Sequence, residues 1–487
     1  MIPERRDTAI IGLTKPPHET EFDLSAPTYA QRIKRKVGTI VLGPILTRLA
    51  AENRAQLAGK LIRSQLVTLK RPEVTEAQAI TALILPKPGF SEDIQASLVR
   101  DGRFCIVSLD RAYTKFVYRA FMPKTVDDNN YRSAPPETAD KKLQLREFWQ
   151  AAWPHVSRGQ IDILLTGNFS YHAEQELTAA LEIQGTPVVA LHKECLKSPA
   201  LEAFYQHVYC ERKVPFRGRY ISTYNEIERD IQIRAGIVSP DKVTVCGMAR
   251  LDKIHRWRKK FEGATRQTDG RPNVLFMSFN TRTGAPLISR KLPGRREILD
   301  DTQEAVGWHK LVAECHTAMV DLALQAPDID VVIKAKDHAR ALAVIEESFG
   351  HDFRSPPNLK IICGGDPFSL ITRADVFCGF NSTSLFEALA ANVPIVSPCF
   401  VEAAADETRG YVVDLGDAAE QAYSRQELID LLAARARAKH VAGHTTILAD
   451  AQLRALDHWL GNPDGNAGER IASLVSEIVR SEQRAAA

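Results

Sequence analysis

The chain has 487 residues, of which 44% are hydrophobic and 25% are charged, and its formal net charge at pH 7 is +3. This composition is typical of a globular protein, and the length predicts two or three domains because it exceeds what one hydrophobic core supports. A net charge this close to zero gives no argument for a nucleic-acid partner.

Cysteine usage and apolar runs indicate the compartment. The eight cysteines are scattered without a Cys-x-x-Cys pair, which is typical of reduced thiols in a cytosolic protein and disfavours a zinc site. The sequence contains no uninterrupted apolar run of about 18 residues and opens on no signal-peptide pattern. We therefore predict a cytoplasmic protein that does not span a membrane.

The first residues predict an arm followed by a basic, amphipathic helix. Residues 1 to about 30 are polar and contain proline, which indicates loose order. The basic cluster Arg32 to Lys36 precedes an apolar pattern that predicts a helix from about Pro44 to Leu66. This helix could contact anionic lipid headgroups or present a solvated face, and both interpretations stay open. We assign 1–75 to an N-terminal arm and helix.

Short apolar runs then alternate with helical segments. They cover Ile80–Leu85, Phe104–Leu109, Ile161–Thr166 and Pro187–Leu191. This alternation predicts a mostly parallel sheet with helices on both faces, in a domain spanning 76–262. The segment Tyr113–Lys142 is rich in Asp, Asn and Pro, which favours a long loop or lid.

Two polar loops follow strands of this first sheet. One contains Asn168, Tyr171 and His172, and the other contains His192 and Glu194. Open α/β sheets bind their ligands at the carboxyl ends of strands, which would bring both loops to one site. His192 and Glu194 would face the same side of a continued strand, and either could take a proton from an attacking hydroxyl group. Alternatively, Glu194 forms a surface ion pair with Lys193.

A second α/β domain is predicted over 263–487, after the polar linker Lys253–Pro272. Polar loops follow four of its strands, at Arg282–Gly284, Lys334–His338, Gly364–Asp366 and Asn381–Glu387. Cations, a histidine and a helix amino terminus at one edge of a sheet predict a binding site for the phosphates of a nucleotide.

The stretch Ala374–Val396 reads as strand, loop, helix and strand. Ser382, Thr383 and Ser384 stand where the helix begins, so hydroxyl groups, free N–H groups and the helix dipole favour an anion such as phosphate. Glu387 lies one turn further and could accept hydrogen bonds from both ribose hydroxyl groups. Alternatively, the hydroxyl residues only cap the helix and Glu387 completes a capping box with Ser384.

Two patterns resemble the GT-B glycosyltransferases. The first is the predicted strand between the two domains, which ends in Val245–Asp252. The second is Asp375-x-x-x-Gly379-x-Asn381-Ser382-Thr383-Ser384-x-Phe386-Glu387-Ala388-Leu389. Within that group the chain is similar to bacterial enzymes of capsule and lipopolysaccharide assembly, including the Kdo, sialyl and polyol-phosphate transferases. Lys336-Asp337-His338 corresponds to their His-Pro loop, with Ala339 in place of the proline. The resemblance covers about residues 155 to 400 and implies two Rossmann-like domains that face each other across a cleft.

The resemblance also implies roles for individual residues. The donor-binding set would be Gly247, Arg250, Lys334, Lys336, His338, Asn381, Ser382, Thr383, Ser384 and Glu387. Arg282 would offset charge on the leaving nucleotide, His192 or Glu194 would activate the acceptor, and the acceptor side would hold Asn168, Tyr171 and His172. Neither a cofactor nor a metal ion is implied, because a helix dipole and cationic side chains can stabilise a departing phosphate.

The expected activity is metal-independent transfer of a sugar from a nucleotide-sugar donor to a glycan or lipid-linked acceptor in surface polysaccharide synthesis. Peripheral contact with the inner membrane is a hypothesis, and no nucleic-acid partner is expected. Three alternatives stay open. They are a polyol-phosphate transferase, a non-hydrolysing sugar-nucleotide 2-epimerase and a non-catalytic subunit that binds nucleotide sugars.

Overall fold

The computed structural model describes residues 29–486, except for 76–77, 194–195, 263–264, 266–269, 293–294, 299–305, 337–338 and 350–352. The helices are α1 Tyr29–Ala51, α2 Ala55–Arg63, α3 Phe90–Ala96, α4 Ala112–Phe121, α5 Thr138–Ser157, α6 Gln175–Ile183, α7 Pro199–Arg212, α8 Glu226–Arg234, α9 Asp252–Lys259, α10 His309–Gln325, α11 Ala339–Phe349, α12 Phe368–Ile371, α13 Thr383–Ala390, α14 Asp406–Arg409, α15 Arg425–Ala442, α16 Asp450–Leu460 and α17 Ala467–Ala486. The strands are β1 Val67–Lys70, β2 Ile80–Leu85, β3 Phe104–Ser108, β4 Ile163–Thr166, β5 Val188–Leu191, β6 Tyr220–Thr223, β7 Val243–Val245, β8 Asn273–Met277, β9 Ser289–Leu292, β10 Arg295–Ile298, β11 Asp330–Ala335, β12 Leu359–Cys363, β13 Val376–Cys378, β14 Ile395–Pro398 and β15 Glu420–Ala422.

Packing contacts divide the described chain into two compact units. The N-terminal unit contains 29–193, 205–252 and 464–486, and the C-terminal unit contains 196–204 and 253–463. Each unit is built on one large sheet whose strands are joined through helices. The prediction of an α/β chain with two Rossmann-like parallel sheets is therefore confirmed, whereas a cleft between the two domains stays a prediction.

The sheet of the N-terminal unit has seven strands in the order β1-β3-β2-β4-β5-β6-β7. Only the edge strand β1 is antiparallel to its neighbour. Alternate residues of β2 enter two different hydrophobic clusters, with Ala82 and Ile84 in one and Leu83 and Leu85 in the other. This two-residue period shows that both faces of the sheet are covered, as expected for parallel strands.

The sheet of the C-terminal unit has six strands in the order β12-β11-β8-β13-β14-β15, and every pair is parallel. This is the doubly wound order, in which the chain winds outward first in one direction and then in the other. Helix α10 covers one face with the buried residues Leu311, Cys315, Met319 and Leu322, spaced at three to four residues. The Glu402 carboxylate accepts hydrogen bonds from the first N–H groups of α10 and so caps it.

The segment Tyr113–Lys142 is not a single long loop, contrary to our prediction. Helix α4 occupies its first part, and α5 begins at Thr138. Tyr113, Val117 and Tyr118 are buried on α4, which shows that an apolar helical face outweighs the Asp, Asn and Pro content of the residues that follow. No helix in the described part of the chain combines the length and apolar character that crossing a membrane requires.

The structure also divides the chain differently from the three predicted domains. Helices α1 and α2 belong to the N-terminal unit, where Leu46 and Ile62 join its core, and do not form a separate region. Residues 1–28, the predicted arm, lie outside the described residues. The main segment of the C-terminal unit begins at Lys253, whose ammonium group lies 3.1 Å from the Asp366 carboxylate.

The terminal helix α17 likewise belongs to the N-terminal unit, although the sequence assigned the last helices to the C-terminal domain. Its apolar face, which includes Ile471 and Val475, packs with Ile94 of α3. The Gly468 N–H donates to the Asp252 carboxylate at 2.8 Å. The end of the chain therefore returns to the N-terminal unit, where α17 helps to cover one face of the seven-stranded sheet.

Replacement of Gly468 by alanine is expected to destabilise the N-terminal unit by about 1–3 kcal/mol. A Cβ at this position would lie 2.5 Å from the carbonyl oxygen of Ala96, and this backbone clash outweighs the gain in helix propensity of about 1 kcal/mol. Urea denaturation followed by circular dichroism measures the effect. The exposed neighbour Glu469→Ala is the control, and an equal stability of the two variants would contradict the prediction.

Candidate functional site

The strand order of the C-terminal sheet reverses between β8 and β13. In doubly wound folds the crevice at the carboxyl ends of two such strands is where ligands bind. The loop after β8 contains Gly284 and the loop after β13 contains Asn381, and the two touch, because a Cβ on Gly284 would lie 2.6 Å from the Asn381 amide nitrogen. Gly284 has φ +70°, so glycine is needed there for conformation as well as for space.

The amino terminus of α13 lies directly beside this reversal. Ser382 is the N-cap, and its hydroxyl oxygen accepts a hydrogen bond from the Ser384 N–H. The Ser384 hydroxyl donates to the Ser382 hydroxyl oxygen at 2.9 Å. Helix α13 begins at Thr383, so a capping box between Ser384 and Glu387 is excluded: Ser384 is not the N-cap residue. Glu387 is half-buried one turn into the helix.

Two of the predicted site residues hold loops of this edge in place. The Arg282 guanidinium donates to the carbonyl oxygens of Val306 and Pro286, at 2.6 and 3.3 Å. The Asn381 side chain donates to the Tyr411 carbonyl oxygen and accepts from the Val413 N–H, at 2.9 and 2.8 Å. Both side chains therefore shape the edge of the sheet. The role of Asn381 in donor binding and that of Arg282 in offsetting charge on the leaving nucleotide stay predictions.

The remaining predicted donor residues of this unit differ in exposure. Lys334 is buried at the end of β11, and its ammonium group donates to the Ala335 carbonyl oxygen at 2.8 Å. Lys336 is exposed just beyond the same strand. His338 lies outside the described residues. Lys336 is thus the predicted cation at this edge that is most accessible to a ligand.

An apolar cavity adjoins the loop that follows β13. It is small, with a volume of about 20 Å³, and its lining residues include Phe380, Leu385, Pro398, Val412 and Leu415. Its wall also includes Asn381, immediately before the N-cap of α13. A cavity of this size holds about one water molecule, so it does not by itself provide a ligand site.

The N-terminal sheet has its own reversal, between β2 and β4. The loops that follow these strands meet there, because the Lys87 ammonium group donates to the side-chain oxygen of Asn168 at 2.6 Å. The amide nitrogen of Asn168 is buried without a hydrogen-bond partner among the described residues. A buried, unsatisfied donor is costly unless a ligand or water accepts from it. The Asn168 amide could therefore donate to a ligand or water, and its predicted role on the acceptor side stays a prediction.

Three cationic side chains from separate loops surround this second reversal. Besides Lys87, a Cβ on Gly89 would lie 2.8 Å from the Arg250 guanidinium and 3.2 Å from the Lys193 side chain. Gly89 has φ +78°, so the loop needs glycine to let these side chains approach. Convergent cations with a glycine between them suit an anionic group, although Glu92 and Asp93 already lie 4.0 and 3.7 Å from the Arg250 guanidinium.

A buried carboxylate positions the Arg250 side chain. Asp93 accepts hydrogen bonds from the backbone N–H of Arg250, at 3.0 Å, and from the Tyr224 hydroxyl group, and its carboxylate lies 3.7 Å from the Arg250 guanidinium. Burial raises the pKa of Asp93, and the nearby guanidinium opposes this shift. Gly247, with φ +86°, lies in the turn before Arg250. The structure thus places these two predicted donor residues in the N-terminal unit, beside Lys87 and Lys193.

His192 is buried at the carboxyl end of β5, next to a second buried carboxylate. Its Nε2 lies 3.0 Å from Oε1 of Glu228, although neither ring nitrogen makes a well-aligned hydrogen bond with the described residues. Glu228 also accepts from the Tyr209 hydroxyl group and the Gln232 amide, at 3.0 and 2.8 Å. Glu194, the other predicted base, lies outside the described residues.

His172 has the better-aligned carboxylate. Its Nδ1 and its backbone N–H lie 2.8 and 2.7 Å from the same oxygen of Asp128, and its ring packs against Tyr118 and Tyr171. Burial raises the pKa of Asp128, but the bonds from His172 and the charge of Lys213 outweigh it and keep the pKa low. An ionised carboxylate fixes the tautomer of such a histidine and supports general-base function.

Several residues of these sites were not singled out in the sequence. They are Lys87, Gly89, Asp93, Asp128, Tyr224 and Glu228. Lys87 and Gly89 could have been found by the rule applied elsewhere, because Lys-Pro-Gly directly follows the apolar run Ile80–Leu85. The other four carry no local signal, since each becomes relevant only through a contact with a distant part of the chain.

Comparisons with solved structures find proteins that resemble this chain only weakly, with low sequence identities and low TM-scores. No protein-family model matches the sequence, and no curated protein matches it. Among solved structures, a candidate UDP-N-acetylglucosamine 2-epimerase from Listeria monocytogenes is 10% identical with a TM-score of 0.45, covering 83% of this chain and 97% of that one. A UDP-GlcNAc 2-epimerase from Neisseria meningitidis, bound to UDP-GlcNAc, is 12% identical with a TM-score of 0.43, covering 82% and 100%. An Anabaena protein in complex with UDP and glucose is 13% identical with a TM-score of 0.40, covering 82% and 100%. These values are too low to assign an activity to this chain.

Proposed function

We propose that the protein is a GT-B glycosyltransferase that moves a sugar from a nucleotide-sugar donor to a glycan or lipid-linked acceptor in surface polysaccharide synthesis. The observation that carries the proposal is the start of α13, where the hydroxyl groups of Ser382 and Ser384 meet at the strand-order reversal of a doubly wound sheet. Helix N–H groups and hydroxyl groups at such a reversal suit the diphosphate of a nucleotide.

The phosphates and the ribose of the donor nucleotide bind to different parts of α13. The phosphates bind at Ser382 and Thr383, with Lys336 as an accessible cation, and the ribose reaches Glu387 one turn along α13. The leaving diphosphate is stabilised by the helix terminus and this cation. The specific place in capsule or lipopolysaccharide assembly is supported by the sequence resemblance alone.

The acceptor binds in the N-terminal unit. The buried amide of Asn168 and the cations Lys87, Lys193 and Arg250 hold it, and a histidine beside a carboxylate removes the proton from its hydroxyl group. Both His192 and His172 meet that description. Asn variants of the two separate them, because loss of the base lowers kcat by about 100-fold or more with little change in donor affinity.

Nucleotide binding tests the donor site directly. In a thermal-shift screen with CMP, CDP, UDP, GDP and ADP, one nucleoside diphosphate is expected to stabilise the protein clearly more than the others. For that nucleotide, Glu387→Ala is expected to weaken binding about tenfold or more, measured by titration calorimetry, because two hydrogen bonds to the ribose are lost. The matched control is the 2′,3′-dideoxy form, whose affinity should be equal for both proteins.

Two outcomes would contradict the proposal. If all nucleotides stabilised the protein equally, or if none stabilised it, the proposed donor site would be wrong.

Incubation with the nucleotide sugar alone, followed by NMR, separates transfer from its nearest alternative: a new epimer formed without an acceptor would indicate a 2-epimerase. Release of the nucleotide only when an acceptor is added would support the transferase.

A further inference from the structure

Helix α1 exposes an apolar face on the surface of the N-terminal unit. The side chains of Ile40, Val41 and Ile45 are 64%, 54% and 47% exposed. At 3.6 residues per turn the three fall on one side of the helix, together with the exposed residues Pro44 and Arg48. In the rest of the described chain, no three exposed large apolar side chains fall within six residues of one another. Three within six residues form a patch that water disfavours.

The opposite side of α1 is fixed to the unit. Leu46 and Ala50 are fully buried, and a Cβ on Gly43 would lie 2.5 Å from the Phe116 ring of α4. The Thr47 hydroxyl group donates to the Phe116 carbonyl oxygen at 3.3 Å. The helix therefore cannot turn its apolar face inward without losing this packing.

The charge around this face is strongly one-sided. Residues 29–54 contain six Lys and Arg and a single acidic residue, Glu52, while the whole chain has a net charge of only +3. Arg32, Lys34, Arg35 and Lys36 occupy the first two turns of α1. Glu52 lies 2.7 Å from Arg48 and 3.7 Å from Arg54, so it offsets only a small part of this charge.

We propose that α1 docks the protein on an anionic lipid surface, with Ile40, Val41 and Ile45 inserted at the level of the headgroups and the basic residues of α1 attracted by lipid phosphates. An exposed apolar stripe flanked by Lys and Arg has the composition of a helix that lies in a membrane interface. The docking is independent of which donor or acceptor the protein uses.

Two other occupants fit the same face less well. A second copy of the chain, related by two-fold symmetry, would place this basic segment against itself, and like charges would oppose the contact. A nucleic acid would satisfy the charges, but it offers no apolar surface to cover Ile40 and Val41.

Vesicle sedimentation of the full-length protein tests the proposal. The protein is expected to pellet at low salt with phosphatidylcholine vesicles that contain phosphatidylglycerol, and much less with phosphatidylcholine alone. Ile40→Ser with Val41→Ser is expected to lower the partition coefficient about tenfold or more. Replacement of Lys34, Arg35 and Lys36 by Gln is expected to lower it by at least as much. Ile183→Ser, an equally exposed isoleucine on α6, should pellet like the unchanged protein.

Three results would overturn the proposal. The first is no pelleting of the unchanged protein with anionic vesicles. The second is full binding by the Ile40/Val41 variant, which would show that vesicles bind only through the positive charge of the protein, as any polyanion would, nucleic acids included. The third is a dimer in light scattering that becomes a monomer in that variant, which would assign the face to a second copy. Circular dichroism verifies that each variant is folded.

Discussion

Replacing Trp308 by alanine is expected to lower the free energy of unfolding of the C-terminal unit by about 3–5 kcal/mol. The indole is fully buried in the core cluster of that unit, with its ring 4.9 Å from the ring of Phe380. Its ring N–H donates to the Thr283 carbonyl oxygen at 2.6 Å, and its backbone N–H donates to Thr281 at 2.9 Å. The alanine variant therefore creates a cavity in the core and leaves the Thr283 carbonyl oxygen without its hydrogen-bond donor.

The same substitution is expected to weaken nucleotide binding. Trp308 connects the core to the loop after β8, which meets the start of α13 through Gly284 and Asn381. Without the indole, this loop loses its anchor beside the proposed phosphate site, and each additional conformation that it adopts lowers the affinity. Differential scanning calorimetry and nucleotide titration measure the two effects on one variant.

Two variants control this experiment. Trp308→Phe keeps most of the ring and loses the hydrogen bond, so its destabilisation should be clearly smaller than that of the alanine variant. Trp257→Ala removes a half-buried tryptophan of α9, whose ring lies 6.2 Å from Phe368, and should also cost less. An alanine variant at 308 as stable as either control would contradict the assignment of Trp308 to the core.

Acidification is expected to destabilise the C-terminal unit through His316. Burial lowers the pKa of this histidine to about 4, whereas in an unfolded chain it is about 6.5. The folded state therefore holds the neutral ring. This stabilisation is complete above pH 6.5 and is lost as the pH falls towards 4, with a total of about 3 kcal/mol.

The neutral ring also supports the loop after β8. His316 Nδ1 donates to the Val312 carbonyl oxygen at 2.8 Å, so Nε2 accepts from the Ser278 hydroxyl group at 2.9 Å. Protonation of Nε2 removes this acceptor. Ser278 begins the loop that leads to Gly284, so nucleotide binding should weaken in the same pH range.

The pH dependence of the melting temperature provides the measurement. His316→Gln is expected to flatten the curve between pH 6.5 and 4, because glutamine does not titrate there. His309→Gln, at an exposed position of the same helix, should keep the slope of the unchanged protein. Parallel curves for the His316 variant and the unchanged protein would show that this ring does not control acid stability.

Much of the architecture was predictable from the sequence. The strand Ile80–Leu85 has the predicted bounds, because a buried parallel strand is a short apolar run between turn residues. Helix α13 begins where Ser382, Thr383 and Ser384 predicted it, because an N-cap is a local hydrogen bond between neighbouring residues.

Contacts between distant residues were not predictable. The pairing of His192 with Glu228 joins a strand end to a helix 36 positions later, and that of His172 with Asp128 reaches back 44 positions. The return of α17 to the N-terminal unit was missed for the same reason. An apolar helical face shows that a helix is buried but not against which sheet.

The sequence by itself determined most of the element types, the polar loops at strand ends and the serine cap of α13, because these depend on spacing and on neighbouring residues. The tertiary structure alone decided which loops meet. Strand order places the reversal of one sheet between β2 and β4 and that of the other between β8 and β13. Since strand order is set by how helices pack across the whole sheet, no local pattern could have selected Lys87 with Asn168, or Gly284 with Asn381, as the edges of the two sites.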